Sequence, residues 1–184
     1  MMKNKVYVFL ALMVLTAACK SKKMDGYTEV NTPFKGSKYE SNNRWWRAVA
    51  SGESMNLQTS KDKAMLSAKQ RLASSVQTQI KSLGERYSGE RQVGQNLGDF
   101  NERFQQLTRE VLNQIIVDVR LFDERTYKND KSNNYTTWVA VEAKKSTTYK
   151  KLKEIALQRN NLSEKDKELV KDMIDKAIDE SEKD

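Results

Sequence analysis

The chain contains no histidine, one cysteine and one proline among its 184 residues. Without histidine, and with a single thiol, it cannot build a Cys/His zinc centre or a Ser-His-Asp or Cys-His nucleophile system, and it cannot close an internal disulfide. No apolar run approaches the roughly 20 residues needed to cross a bilayer core; the longest lies between Lys5 and Lys20 and ends in small residues. Gly89, Gly94 and Gly98 lie among charged residues, but a Gly-x-x-x-x-Gly-Lys-Ser/Thr order is missing, so they form no phosphate cradle. The polar turn Asn129-Asp130-Asn133-Asn134 lacks the ligand order and the glycine of an EF-hand loop. Acid/base work needs two carboxylates in unlike environments, and Asp118, Asp123, Glu124 and Glu142 stand on or beside strands where a solvated face explains them equally well. The expectation is a protein that is not an enzyme and uses no cofactor and no metal.

The N-terminal stretch organises the rest. Lys3 and Lys5 precede an apolar run from Val6 to Leu15; Thr16, Ala17, Ala18 and Cys19 follow, which is the layout of a secretory signal. The ending Leu15-Thr16-Ala17-Ala18-Cys19 resembles the bacterial lipobox, which implies a fatty-acylated (palmitate-bearing) Cys19 as the first residue of the mature chain. Removal of residues 1–18 leaves 166 of the 184, and the formal charge falls from +8 to +6 because Lys3 and Lys5 go with them. A basic chain can bind nucleic acid, but export separates this one from it. The partners expected are the membrane through the anchor on Cys19, an envelope protein, and peptidoglycan as the alternative; nucleic acid is not among them. Residues 19–43 have no sustained apolar period and read as a flexible tether, spanning about 25–30 Å and reaching about 80 Å when extended. Lys20, Lys22 and Lys23 sit where each adds about 1 kcal/mol of attraction to an anionic leaflet. The first acid after Cys19 is Asp25, so the acidic run that marks surface display in some bacteria is missing. The expected location is the outer membrane, lipid-anchored and facing the periplasm.

The folded head is expected over residues 44–145. Arg44 to Gly52 has the form of a short strand, with Trp45, Arg47 and Val49 on one face and Trp46, Ala48 and Ala50 on the other. One tryptophan is expected in the core and the other on the surface. A long helix should start at Ser60 as N-cap, with Asp62 in its first turn, and end at Gly84; Met65, Ala68, Leu72, Val76, Ile80 and Leu83 recur at spacings of three and four. Glu85 to Gly98 is expected as a loop. A second helix is expected from Asp99 to Asn113, with Phe100, Phe104, Leu107, Val111 and Leu112 on one side. Ile115 to Phe122 alternates with period two and is rich in β-branched residues. Across the polar turn of residues 129–134, Tyr135 to Ala143 alternates again, so the pair is predicted as a hairpin. Val117, Val119 and Leu121 would face inward with Val139 and Val141, and Asp118, Arg120 and Glu142 outward. Residues 146–184 turn helical, with Tyr149, Leu152, Ile155 and Ala156 in one helix, a break at Asn160-Asn161, and Ser163 with Asp166 in a capping pattern. The stripe Leu169, Val170, Met173, Ile174, Ala177 and Ile178 must then be buried, either against the head or against another chain.

Ala48-Val49-Ala50-Ser51-Gly52-Glu53 runs into Lys63-Ala64-x-x-x-Ala68-Lys69-x-Arg71-Leu72-Ala73, and a hairpin ending in Tyr135-x-x-Trp138-Val139-Ala140-Val141 follows, all behind a lipobox. Over residues 44–145 this pattern resembles the Lpp-twenty family of small bacterial outer-membrane lipoproteins. The resemblance implies a compact head on a lipid anchor without a catalytic site, and it carries over no functional residue except Cys19. The fold expected is α+β: a three-stranded, mostly antiparallel sheet in the order β-α-α-β-β along the chain, two helices on one face, and a C-terminal helical appendage. Trp46, Arg47, Val170, Ile174 and Ile178 are the candidate partner-binding residues.

Overall fold

The computed structural model describes residues 26–27, 30–90, 97–115 and 119–183; the signal, Cys19, Lys20, Lys22, Lys23, Val117 and Asp118 lie outside them. The chain divides into Met1–Thr32 and Pro33–Asp184. In the first unit the described side chains Tyr27 and Val30 are exposed. The second unit carries the sheet and the helices.

That unit is built on a three-stranded antiparallel sheet of β1 (Trp45–Ser54), β2 (Arg120–Lys128) and β3 (Tyr135–Lys144), in the spatial order β1-β3-β2. Its helices are α1 (Leu57–Glu90), α2 (Leu97–Ile115), α3 (Lys145–Gln158) and α4 (Glu164–Glu182). The architecture is therefore α+β, with C-terminal helices, as the sequence pattern predicts. Strand alternation places Trp46, Ala48 and Ala50 beside Ala143, Val141 and Val139 on one face of the sheet. Against that face lies α1, whose Ser60, Ala64, Ala68, Leu72, Val76 and Ile80 recur every four residues and are each at most 1% exposed. Small side chains in its first turns bring the helix close to β1. At Gly52 an added Cβ would lie 2.4 Å from the Ala64 nitrogen, so only glycine fits the crossing. Helix α2 packs on α1 through Phe100, Phe104, Leu107 and Val111, and α3 and α4 pack on one another. One buried cluster runs from Trp46 to Ile178, so α3 and α4 complete the core of the head.

Several boundaries differ from the sequence reading. The compact unit starts at Pro33 rather than at residue 44, because the segment before β1 has side chains that pack. Phe34 is buried, the Tyr39 ring stacks on Phe122 at 5.7 Å, and the Tyr39 hydroxyl donates to Asp123 Oδ2 at 2.8 Å. Helix α1 is entered at Asn56, whose Oδ1 accepts from the Thr59 N–H at 3.0 Å, and not at Ser60. The Ser60 hydroxyl instead meets Thr137 Oγ1 at 2.8 Å beneath the helix. Gly84 does not end α1. It remains inside the helix because an added Cβ there would lie 2.8 Å from the Phe104 ring, so the glycine serves helix packing and not a helix stop. The expected loop after residue 84 is helical up to Glu90 and again from Leu97, with residues 91–96 outside the described part. Ile115 closes α2, and the partner strand begins at Arg120 and runs to Lys128. Leu121 consequently stays 40% exposed, while Val119 packs against the core edge. The turn at residues 129–134 is as expected: Asn129 Oδ1 accepts from the N–H groups of Lys131 and Ser132 at 2.9 and 3.2 Å, which commits that side chain to the turn itself. Ser163 and Asp166 form a reciprocal capping box at the start of α4.

Candidate functional site

Register decides what the outer face of the sheet displays. Glu142 in β3 is opposite Arg47 of β1 on one side and Arg120 of β2 on the other. The Arg47 Nε–H donates to Glu142 Oε2 at 3.0 Å, and Arg120 Nη2 donates to Oε1. Arg47 also lies 5.6 Å over the Phe122 ring, and Arg120 lies 5.1 Å over the Trp45 ring. The Glu142 side chain is 4% exposed although it points away from the helices, because the two arginines and their aromatic supports cover it. One carboxylate between two guanidinium groups leaves this triad with one excess positive charge.

The triad opens into a groove of about 540 Å³ between the end of the sheet and the start of α3. Trp45, Arg120, Glu142, Lys144, Lys150 and Lys151 contribute to its walls. Lys151 is bound to Glu154 at 3.2 Å and Lys150 approaches Glu182 at 3.8 Å, both on exposed side chains. Lys144 has no such partner among the described residues. It stands at the N-cap of α3 without capping that helix, and the first turn carries no acid. The positive end of the helix dipole therefore adds to the lysines. The groove suits an acidic partner. Among the described residues, no helix is long and apolar enough to cross a membrane.

The sequence-derived candidates do not meet at this groove. Trp46 is fully buried; its indole N–H donates to Gln79 Oε1 at 2.6 Å and its ring packs edge-on against Tyr149 at 5.3 Å. Arg47 is engaged with Glu142, and its side chain is only 14% exposed. Val170, Ile174 and Ile178 are at most 8% exposed inside the head's own core. Of the two answers for the C-terminal stripe, the structure takes the internal one, so these three side chains offer no surface to a partner. Trp45, Lys144 and Lys150 were missed because cross-strand register and the β3–α3 junction bring them together. No family model, curated protein or solved structure matches the chain.

Proposed function

We propose that this chain is a non-enzymatic outer-membrane lipoprotein, anchored by a lipid on Cys19 and facing the periplasm, whose head docks an acidic envelope protein. The observation that carries the reading is the groove beside Trp45. Its four basic side chains oppose two carboxylates, and an uncapped helix start adds to the same positive field. The anchor rests on the sequence from Leu15 to Cys19, and the resemblance of residues 44–145 to Lpp-twenty-type lipoproteins supports the same assignment. The non-enzymatic part rests on a composition without histidine and with its only thiol in the lipobox.

The test is crosslinking in intact cells from photoreactive residues at Thr147 and Lys150, both exposed at the groove. A Cys19→Ala control and metabolic labelling with a palmitate analogue accompany it. The expected result is label on Cys19 and capture of one acidic envelope protein that is lost when Lys144 and Lys150 are changed to Glu. Capture that is indifferent to those charges, or label that persists in Cys19→Ala, refutes the reading. The alternative, binding of peptidoglycan, draws on the same groove because Trp45 offers an aromatic surface among cations. Sedimentation with purified cell-wall polymer, weakened by salt and by Trp45→Ala, would favour it over the protein partner.

A further inference from the structure

A second cavity, of about 270 Å³, lies between α1, α3 and α4. Its size is below the roughly 300–1,000 Å³ of sites for drug-sized ligands, so an occupant must be small. Buried Trp46 does not line the cavity but contacts three residues that do, Gln79, Tyr149 and Lys145. The indole N–H takes up Gln79 Oε1, which leaves the Gln79 amide N–H₂ as the free end of that side chain. The Tyr149 ring is fixed against the indole edge, and the Lys145 ammonium lies 5.6 Å over the indole face. Arg86 of α1 and Glu180 of α4 line the same cavity, and both act electrostatically on the Tyr149 hydroxyl.

Three charged groups thus border one small cavity, and among the described residues none of the three is in an ion pair. Lys145 is the most constrained. Burial pushes its pKa below the usual lysine value, and no carboxylate offsets that effect. A half-buried cation without a counter-ion is unfavourable in the free protein, and a ligand carboxylate would relieve it. Neutral donors on Gln79 and Tyr149 suit the oxygens of that carboxylate. Glu180 supplies the partner for an ammonium group.

We propose that this cavity is a binding site for a small zwitterion of amino-acid size, its carboxylate held by Lys145, Gln79 and Tyr149 and its ammonium by Glu180. The site is separate from the groove and does not depend on the docking reading. The test uses the full chain in detergent micelles and follows the Trp46 indole N–H by NMR, with Trp45 and Trp138 as internal controls for folding. Alanine and lysine are the probes, beside acetate, ethylammonium and inorganic phosphate. The expected result is a saturable shift of the Trp46 signal at millimolar amino acid. Lys145→Met should weaken binding about tenfold or more, and Glu180→Gln should weaken binding of the amino acids while sparing acetate. No saturable shift with either amino acid, an unchanged affinity in Lys145→Met, or phosphate binding as tightly as alanine would each overturn the proposal.

Discussion

Glu142 shows how much one side chain can hold on an outward-facing strand position. It is buried between two guanidinium groups, and removing it leaves Arg47 and Arg120 facing each other across β3 without a counter-charge. Breaking a fully buried pair costs about 3–5 kcal/mol; with the Arg120 side chain 64% exposed to water, Glu142→Ala should lower unfolding free energy by about 2–3 kcal/mol. Arg120→Ala should cost less than about 1 kcal/mol, because its charge is mostly solvated. Urea denaturation of the two variants measures the difference, and equal losses would show that Glu142 is not the centre of the triad. Lys145 makes an opposite prediction. Its folded-state pKa is lowered by burial, so the unfolded chain binds the extra proton and stability rises with pH from the lowered value up to the ordinary value near 10.5. Lys145→Met should remove that rise and leave Tm no lower than in the parent chain at neutral pH, as thermal unfolding at a series of pH values will show.

At the scale of elements, two glycines decide how the layers approach. In a helix interior Gly→Ala ordinarily gains about 1 kcal/mol. Gly84→Ala should instead lose about 1–2 kcal/mol, because its Cβ would enter the buried Phe104 ring. Phe104→Leu combined with it should recover part of the loss, which a double-mutant cycle detects. Gly52→Ala should be worse, about 3 kcal/mol, because the obstructing atom is the backbone nitrogen of Ala64 rather than a side chain that can turn away. The free edge of β1 is likewise managed by neighbouring groups. The Trp45 carbonyl accepts from the Asn42 N–H at 3.0 Å, Arg71 donates to the Val49 carbonyl at 2.9 Å, and Lys63 donates to the Glu53 carbonyl at 3.1 Å. These contacts occupy backbone groups that could otherwise pair with another strand.

For the whole molecule, burial of the C-terminal stripe sets the outcome of truncation. A chain ending after Lys145 would lack Tyr149, Leu152, Ala156, Leu169, Val170, Met173, Ile174 and Ile178, all members of the common core. Full burial of each larger apolar side chain is worth about 1.5–3 kcal/mol relative to exposure, and a whole domain holds only about 5–15 kcal/mol in reserve. The truncated head should therefore lose its cooperative thermal transition in calorimetry. A cooperative transition near the parent Tm would mean that α3 and α4 are an appendage after all. For the same reason, loss of a partner on such truncation would report unfolding, so docking must be tested by surface substitutions at the groove.

Periodicity and composition alone were sufficient for the class of fold, the hairpin turn, the Trp45/Trp46 division between the sheet faces, the apolar stripes of α1, α2 and α4, and the capping box at Ser163. Each of these depends on neighbours within a few residues or on a repeat along one element. Tertiary structure decided the continuation of α1 through Gly84, since the reason for that glycine lies in Phe104 of another helix. It also decided the start of β2: the alternating pattern begins at Ile115, yet Ile115 closes α2 and the strand starts only at Arg120. The groove and the small cavity could not be read from the chain, because both consist of side chains brought together from distant segments by register and helix packing. Burial of Trp46, Val170, Ile174 and Ile178 follows the same logic. An apolar side chain in the sequence carries the requirement to be covered, and only the assembled core determines which surface covers it.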